Sequence, residues 1–466
     1  MVVGEVASAT DVLVVGAGPG GYAAALRARQ LGRRVTLVEK AAVGGICLNE
    51  GCIPSKVLIH AAELASMGAM AADFGVTLEA SADLKAVRAS MERTIGGLGR
   101  GVDALLAAAE VERVSGIARF SRPDRIVVDD GERVRHFEFE EVILATGSRP
   151  VALRGLERDG ERVLDSTDLL RLSSMPASLA VVGGGYIGVE LGTAFAKLGA
   201  RVCMVEACDR LLPLMRPFQG EAVQRRLASL GARVMLGTQA RELTQGGLRV
   251  ETAAGPEEIE AAKILVAVGR VPNTDDLGLE LTEVELDDGG LVLVDGSRRA
   301  CPHILAIGDI TDGPALAHKA TAEAEVAAST ACGVAASFDP QAIPEVVFSD
   351  PEIASVGWTP ESAERELGAA RSFRLPLSAS ARARTLGSRG GLVEMIVDGD
   401  GALVGVHMAG AHVSELAAEA ALAIEMGASA EDLALTIHPH PTMSEALAEA
   451  AWGVIGRPLH AMRPKV

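Results

Sequence analysis

Two cysteines stand five positions apart in the segment GGICLNEGCIPSK, residues 44–56. In an ideal helix, Cα atoms at this spacing lie too far apart for a disulfide, so a bridge between Cys47 and Cys52 requires an irregular turn and should be easily reduced. Asn49 and Gly51, between them, accept unusual backbone dihedrals. Cys52 also opens the predicted helix CIPSKVLIHAAELA, whose N-terminus favours a thiolate. The pattern indicates thiol–disulfide exchange.

Two other interpretations of a cysteine pair compete with this one. A structural zinc site needs two further ligands at close spacing, and none stands nearby in the sequence, so we expect no metal site. Ordinary thiols are the commoner fate of cysteine: Cys203 and Cys208 have the same spacing, and we predict that the first is a core thiol and the second a surface thiol. Context, rather than spacing, therefore decides between the interpretations.

A candidate base lies near the C-terminus in HPHPTMSEALAEA, residues 438–450. A dithiol attacks a disulfide as a thiolate, so a neighbouring base such as His440 would help, and Glu445 would orient its ring. The same letters have a structural interpretation, because Thr442 and Glu445 form a capping box that would start a helix. For His438 we predict a packing or solvent-facing side chain.

A glycine pattern occurs twice, each time between a predicted strand and a predicted helix. The copies consist of Gly16, Gly18, Gly21 and Glu39, and of Gly183, Gly185, Gly188 and Glu206. In both copies the acid follows the first glycine at the same distance, since 39 − 16 = 206 − 183 = 23. Such glycines permit a tight turn and a close approach to a pyrophosphate at the helix N-terminus, and the acid binds a ribose hydroxyl. The repeat predicts two dinucleotide-binding units.

The acid of the second copy indicates the cofactor. Glu206 would accept hydrogen bonds from a free 2′-hydroxyl and repel a 2′-phosphate, so we predict NAD rather than NADP. The alternative is a solvated glutamate at a strand end.

The order of elements predicts an α/β protein with two Rossmann-like domains and a C-terminal α+β domain. Each glycine unit ends in a later strand and turn, EVILATGSRP and KILVAVGRVPNT. The predicted boundaries are residues 1–150, 151–272, 273–342 and 343–466.

Composition narrows the class of partner. The 466 residues carry a net charge of −18 without a run of Lys or Arg, which disfavours nucleic acids and anionic membranes. We find no apolar stretch of about 18 residues and no basic leader near Glu5 and Asp11. Six scattered cysteines favour a reducing compartment. We therefore expect a cytoplasmic protein.

Three segments together resemble a known family. GGICLNEGCIPSK resembles the redox-active disulfide motif of the pyridine nucleotide-disulfide oxidoreductases. Within this family, its residues are similar to those of the dihydrolipoamide dehydrogenases. AIGDI, residues 306–310, resembles the second FAD motif of the family, and residues 438–445 resemble its His-x-His-Pro-Thr-x-x-Glu signature. Motifs in the same order cover nearly the whole chain.

The resemblance implies a function for each domain. Residues 1–150 would bind FAD, residues 151–272 NAD, residues 273–342 would complete the FAD site, and residues 343–466 would form a homodimer. The implied activity is oxidation of dihydrolipoyl groups to lipoyl groups with reduction of NAD. The implied partner is a lipoyl-bearing acyltransferase or carrier protein of a 2-oxo acid dehydrogenase or glycine cleavage complex.

The resemblance also implies roles for individual residues. Cys47 would exchange with the dithiol, and Cys52 would face the flavin as a charge-transfer thiolate. Lys56 would lie near flavin N5, paired with Glu190. His440 and Glu445 would act in the partner subunit's site. The other implied cofactor-binding residues are Gly16, Gly18, Gly21, Glu39, Lys40, Gly45, Gly116, Thr146, Gly147, Ser148, Gly183, Gly185, Gly188, Glu206, Gly269, Asp309 and Ala317.

Some alternatives stay open at this point. Asp309, implied to bind the ribitol, could instead cap a helix. A glutathione reductase would prefer a basic residue near Glu206, and a mercuric reductase needs a C-terminal cysteine pair, which the tail GRPLHAMRPKV lacks. A non-catalytic FAD- and NAD-binding scaffold is the alternative outside the enzymes. Glu50 and Tyr186 depart from the aliphatic residues of many relatives.

Overall fold

The structure of the protein is a computed structural model that describes residues 7–388 and 390–462. Contacts divide the described chain into two units. The first unit comprises residues 7–57, 88–151 and 269–339, and the second comprises residues 58–87, 152–268, 340–388 and 390–462. No helix within these ranges is long and apolar enough to cross a membrane.

The strands of the described residues, in chain order, are β1 (Ala7–Val15), β2 (Val35–Glu39), β3 (Glu112–Ser115), β4 (Ile117–Arg122), β5 (Arg125–Asp129), β6 (Val134–Leu144), β7 (Ser148–Pro150), β8 (Val163–Leu164), β9 (Ser178–Val182), β10 (Arg201–Val205), β11 (Arg233–Met235), β12 (Gln239–Leu243), β13 (Gly247–Thr252), β14 (Gly255–Glu260), β15 (Lys263–Val266), β16 (Arg270–Pro272), β17 (Arg299–Cys301), β18 (Ile304–Ala306), β19 (Glu345–Val347), β20 (Glu352–Gly357), β21 (Ala370–Pro376), β22 (Leu392–Asp398) and β23 (Leu403–Gly410).

The α-helices of the same residues are α1 (Pro19–Gln30), α2 (Gly45–Asn49), α3 (Cys52–Ser66), α4 (Gly68–Asp73), α5 (Leu84–Ala108), α6 (Ser166–Leu170), α7 (Tyr186–Lys197), α8 (Pro217–Ser229), α9 (Ala317–Ala331), α10 (Pro360–Leu367), α11 (Ala381–Thr385), α12 (Val413–Glu425), α13 (Ala430–Leu435) and α14 (Glu445–Val454). Short 3₁₀ turns cover Leu279–Leu281, Gly308–Ile310 and Leu377–Ala379.

The first unit is built on a largely parallel sheet in the order β17-β18-β6-β1-β2-β3, to which β4 and β5 add an antiparallel extension. Side chains of β1 alternate between two apolar clusters, with Val12 and Val14 in one and Leu13 and Val15 in the other. The sheet is therefore covered on both faces, which explains the uninterrupted apolar run in β1.

Small residues set the packing of α1 on α9. Ala24 and Ala28 of α1 share a buried cluster with Ala324 and Ala328 of α9. A Cβ on Gly20 would come within 3.0 Å of the Ala320 carbonyl oxygen, so the two backbones lie close together. The helix predicted after the first glycine pattern is confirmed, and it starts at Pro19, which suits the first turn of a helix.

The second unit contains a parallel sheet in the order β11-β10-β9-β15-β8. Its strand and helix order repeats that of the first unit: the first strand leads through a glycine turn into a helix, and the next strand pairs parallel with the first. The two Rossmann-like folds predicted from the glycine repeat are confirmed. A small antiparallel sheet, β12-β13-β14, adjoins the parallel one.

The C-terminal part of the second unit is an antiparallel sheet in the order β19-β20-β23-β22-β21. Its apolar face packs against α12 and α14 through a cluster that includes Phe373, Met395, Met408, Leu416 and Leu447. This is the α+β layer predicted for residues 343–466.

Buried charged groups join this sheet to α8 within the second unit. Arg216, at the N-terminus of α8, donates from Nε to Glu394 Oε2 of β22 at 2.8 Å, and Arg374 donates to Glu394 Oε1 at 2.7 Å. Gln219 donates to the carbonyl oxygens of Ala354 and Met408 at 3.0 and 2.9 Å. Burial alone would raise the pKa of Glu394, but hydrogen bonds from Arg216 and Arg374 outweigh it and hold the pKa below its ordinary value.

We expect Glu394→Gln to lower the free energy of unfolding by about 3 kcal/mol at pH 7, because the buried Arg216 guanidinium loses its buried carboxylate and keeps the exposed Glu361 as an ionic partner. A carboxylate with a lowered pKa stabilises the fold above its unfolded-state pKa, and this contribution is lost as the pH falls through the folded-state pKa. The difference from the wild type should therefore shrink below about pH 4. Urea unfolding at several pH values checks this, with the exposed Glu364→Gln as control. Equal losses in both variants would contradict it.

Candidate active site

The cysteine segment is two helices rather than one. Cys47 lies in α2 and Cys52 is the first residue of α3, and the chain leaves the helical path at Glu50, whose φ is −136°. The Asn49 side chain closes α2 by donating to the Gly45 carbonyl oxygen at 2.9 Å. This interruption provides the irregular turn that a bridge between the cysteines requires.

The residues with left-handed backbone in this segment are Gly44 and Gly45, not Asn49 and Gly51, where unusual dihedrals were predicted. Gly44 and Gly45 have φ of 98° and 58°, whereas Asn49 and Gly51 have no positive φ. A Cβ on Gly45 would come within 2.7 Å of the Gly18 Cα, so Gly45 holds the cysteine segment against the first glycine turn. The conformational freedom is needed where the segment begins, because two backbones meet there.

The structure shows the reduced form of the pair, with Cys47 half-buried and Cys52 exposed. A hydrogen bond with Cys52 and burial raise the pKa of the Cys47 thiol well above its ordinary value, negative charge on Cys52 and Asp309 adds to the rise, and the Lys56 ammonium opposes it. Cys52 lies at the N-terminus of α3, where negative charge is favoured. The pair is thus in contact, and its two members lie in different electrostatic surroundings.

In the first glycine turn, Gly16 and Gly21 are packed against backbone atoms, whereas Gly18 faces open space. A Cβ on Gly16 would lie 2.3 Å from the Ala145 carbonyl oxygen, and one on Gly21 would lie 1.8 Å from the Gly16 carbonyl oxygen. A Cβ on Gly18, by contrast, would meet nothing within 4 Å. Gly18 caps α1 without a side-chain hydrogen bond, so amide groups of the first turn are available to an anion.

The second glycine turn repeats this geometry. A Cβ on Gly183 would lie 2.3 Å from the Ala267 carbonyl oxygen, and one on Gly188 would lie 2.0 Å from the Gly183 carbonyl oxygen. Gly185 again has nothing within 4 Å. The space beside Gly18 and Gly185 is what a bound pyrophosphate would fill.

Each acid of the repeat is tied to its own glycine turn. Glu39 accepts from the N–H groups of Ala17 at 2.6 Å and Ala41 at 2.9 Å. Glu206 accepts from those of Gly184 at 2.5 Å and Cys208 at 2.7 Å.

Glu206 is 8% exposed, so it is a held carboxylate rather than a solvated one. Each carboxylate oxygen keeps a lone pair for a ribose hydroxyl. Sequence reasoning found these acids but missed their second function of bracing the turn. Cys203 is buried and Cys208 exposed, as predicted.

Asp309 lies in the 3₁₀ turn Gly308–Ile310 and does not cap a helix, since the N-cap of α9 is Leu316. Its Oδ2 accepts from Ser148 Oγ at 2.5 Å, and Ser148 Oγ accepts from Arg270 Nε at 2.7 Å. The structure therefore brings Asp309 and Ser148 together, and it adds Arg270, which sequence reasoning did not find.

Three of the remaining predicted residues of the first unit form hydrogen bonds in the structure. Thr146 Oγ1 donates to the Asn273 carbonyl oxygen at 2.7 Å, and the Gly147 carbonyl oxygen accepts from Asn273 N–H at 2.8 Å. Gly116 donates to the Glu39 carbonyl oxygen at 3.0 Å. The others are the exposed Lys40 after β2, Lys56 in α3, Gly269 before β16 and Ala317 at the start of α9.

In the second unit, Glu190 is buried in α7 and accepts from Phe348 N–H at 2.9 Å. His440 Nδ1 lies 2.9 Å from Glu445 Oε1, while Glu445 Oε2 accepts from Thr442 N–H at 2.8 Å. Glu445 therefore orients the imidazole and also binds a backbone N–H just before α14. The N-cap of α14 is Ser444, so Thr442 and Glu445 do not form the predicted capping box.

Burial alone would raise the pKa of Glu445, but the hydrogen bond with His440 and the Thr442 N–H keep it lowered. The His440 side chain is 72% exposed, so its ring is open to a substrate or a second chain. His438 is 6% exposed and pairs with Glu419 at 2.8 Å, as a packing residue should.

The fold and this site define a disulfide oxidoreductase with two dinucleotide-binding units. The family model described as pyridine nucleotide-disulphide oxidoreductase matches residues 10–324, and the model of its dimerisation domain matches residues 343–451. The chain belongs to this family, so the predicted family and fold class are confirmed.

Relatives match over the full length. The chain is 45% identical to dihydrolipoyl dehydrogenase 2 of Haloarcula marismortui, covering 99% of this chain and 100% of the relative. It is 43% identical to the dihydrolipoyl dehydrogenase of Geobacillus stearothermophilus, covering 99% of both.

Two solved structures have a similar fold over most of the chain. LpdA from Mycobacterium tuberculosis matches with a TM-score of 0.88 and 29% identity, covering 95% of this chain and 99% of that chain. The HOCl-induced flavoprotein disulfide reductase RclA from Escherichia coli matches with a TM-score of 0.83, 25% identity and the same coverage.

We expect Gly185→Ala and Gly188→Ala to fail in different ways. The added methyl group has open space at Gly185, so the thermal midpoint should stay unchanged while NADH binding weakens about tenfold or more, a cost of about 1.4 kcal/mol. At Gly188 the methyl group meets the Gly183 carbonyl oxygen, so stability should fall by at least about 1–3 kcal/mol. Differential scanning fluorimetry and NADH fluorescence titration measure the two effects. Unfolding of Gly185→Ala at a lower temperature would contradict the distinction.

Proposed function

We propose that the protein is a dihydrolipoyl dehydrogenase that oxidises dihydrolipoyl groups to lipoyl groups and reduces NAD. The observation that carries the proposal is the pair of contacting thiols at Cys47 and Cys52, placed beside a dinucleotide turn and with Cys52 at the N-terminus of a helix. Full-length relatives with this name, at 43–45% identity, support it.

The chain's own residues suit both cofactors. FAD would lie along the first glycine turn, with Glu39 at its ribose and the Asp309–Ser148 pair at its ribitol, and Lys56 and Glu190 would serve near its reacting ring. NAD would lie along the second turn, with Glu206 at its ribose. When bound, FAD accepts two electrons from the reduced thiols and supplies the hydride that reduces NAD.

The thiols would take part in a balanced exchange. His440 of the partner subunit, oriented by its Glu445, would remove a proton from one substrate thiol. The substrate thiolate would attack Cys47 Sγ of the oxidised pair, the Cys47–Cys52 bond would break, and Cys52 would leave as a thiolate. The second substrate thiol would then lose its proton and attack the mixed disulfide, the bond to Cys47 would break, the lipoyl ring would close, and Cys47 would leave and take up that proton.

This division of labour requires a homodimer, which the dimerisation domain supports. The exposed ring of His440 in each chain would complete the site of the other. We propose a lipoyl-bearing acyltransferase or carrier protein of a 2-oxo acid dehydrogenase or glycine cleavage complex as the partner. The six cysteine thiols fit a cytoplasmic location.

A comparison of two assays tests the proposal. The protein should reduce NAD with free dihydrolipoamide and should fail to reduce oxidised glutathione with NADPH. The reverse result would assign it to the glutathione reductases, and activity in neither assay would favour a non-catalytic scaffold.

Cys52→Ser should abolish dihydrolipoamide turnover while leaving the flavin bound, because it removes the leaving thiolate but leaves the glycine turn, Glu39 and Asp309 that would hold FAD in place. Cys301→Ser, a half-buried cysteine in β17, should retain activity as the control. Steady-state rates and the flavin absorbance at purification measure both properties. Turnover by Cys52→Ser above a few per cent of the wild-type rate would overturn the role of this thiol.

Glu445→Gln should lower kcat with dihydrolipoamide by about 100-fold, because the imidazole loses the carboxylate that orients it and stabilises its charge. Glu449 offers a matched control on the same helix, since it pairs with His460 Nδ1 at 2.8 Å. Glu449→Gln should keep the wild-type rate. Equal kcat values for the two variants would show that the His440 dyad plays no part in proton removal.

A further inference from the structure

Three charged side chains that no catalytic role uses are buried beneath the turn that carries Asp309. Arg298 precedes β17, and Lys319 and Glu323 lie one turn apart in α9. Their side chains are 8%, 1% and 0% exposed. Burying charged groups this completely is costly unless they are paired and hydrogen-bonded.

Glu323 receives four donors. Its Oε2 accepts from Gly308 N–H at 2.6 Å, and its Oε1 accepts from Arg298 Nη1 at 2.9 Å and from Thr311 Oγ1 at 3.1 Å. Lys319 Nζ lies 3.2 Å from Oε1 as well. The carboxylate therefore binds the turn 308–311 at both of its ends.

Lys319 adds a second set of hydrogen bonds to the same turn. We call Glu323, Lys319 and the Thr311 hydroxyl, which together hold residues 308–311, the clamp. Its Nζ donates to the Gly308 carbonyl oxygen at 3.1 Å and to Thr311 Oγ1 at 3.0 Å. Gly308 thus has both its N–H and its carbonyl oxygen held by buried charged groups. The next residue is Asp309, so the clamp fixes the backbone from which that carboxylate projects.

The charges in the cluster do not cancel. Two buried cations share the single buried carboxylate of Glu323, which leaves a net charge of +1 among the three buried groups. A further carboxylate, that of Asp312, lies 3.8 Å from Arg298, but its side chain is 85% exposed and therefore screened by solvent. The excess positive charge lies in a low-dielectric interior, where it acts more strongly than at a surface.

We propose that Arg298, Lys319 and Glu323 form a positioning unit for the flavin: they hold the Asp309 turn in its binding geometry and place a net positive charge behind it that favours the reduced, more negative ring. The inference rests on the assignment of FAD to the first unit. The three residues act through the turn and through the field, without touching the substrate.

Two charge variants of opposite sign separate the electrostatic role from simple packing. Glu323→Gln makes the cluster more positive and should raise the midpoint potential of the bound flavin, whereas Lys319→Met makes it neutral and should lower the potential. Both should weaken FAD retention about tenfold, because each removes hydrogen bonds of a charged group from the turn. The potential is measured by dye equilibration and retention by the flavin released on dilution.

Two further variants complete the experiment. Glu325→Gln, on the same helix and in an exposed pair with Arg27, should change neither quantity. Thr311→Val removes a hydroxyl of the clamp but no charge, so it should weaken retention without moving the potential. If Glu323→Gln fails to fold, Lys319→Met compared with Thr311→Val decides the question.

The outcomes are distinct. Opposite shifts in potential, with a silent Glu325→Gln, support the inference. Shifts of the same sign, or no shift in Lys319→Met, overturn it even if retention falls. A wild-type holoprotein preparation that never contains flavin would instead overturn the proposed function itself.

Discussion

The contact between the two thiols depends on the interruption of the helix between Cys47 and Cys52. In one continuous helix, residues five apart would point about 140° away from each other, and their thiols could not share a proton. The chain avoids this at Glu50 by ending α2 and starting α3 afresh. The same break places Cys52 at a helix N-terminus, where negative charge is stabilised. One local irregularity therefore creates both the contact and the different surroundings of the two thiols.

The two Rossmann-like folds differ chiefly in the segment that comes after their second strand. In the first, β2 leads into the cysteine segment, which Gly45 holds against the glycine turn. In the second, β10 leads to Arg216 and Gln219 of α8, which fasten the C-terminal antiparallel sheet through buried hydrogen bonds. The same scaffold thus carries the redox pair in one copy and the C-terminal layer in the other. Both copies have an acid at the same position, and in both the acid holds its glycine turn by accepting hydrogen bonds from backbone N–H groups.

Features that depend on local spacing could be predicted from the sequence. The glycine turns, the start of α3 at Cys52 and the His440–Glu445 pair all follow from residues fewer than about 25 positions apart. The buried ion pairs could not be predicted, because their members are brought together by the tertiary fold: Arg216 and Glu394 are 178 positions apart. Arg298 and Glu323 are only 25 apart, but nothing in an Ala-rich helix indicates which glutamate faces a buried arginine. The left-handed backbone at Gly45 was missed because Gly45 meets Gly18, which lies 27 positions earlier in the chain.

Counting thiols before and after reduction tests the central claim most directly. The chain has six cysteines, so the protein as isolated, denatured and alkylated under oxygen should show 6 − 2 = 4 accessible thiols, with the Cys47 and Cys52 peptides recovered as one linked species. Treatment with dihydrolipoamide before denaturation should raise the count to six and release the two peptides. Six alkylated thiols from the start, or a bridge between any other pair, would contradict the account.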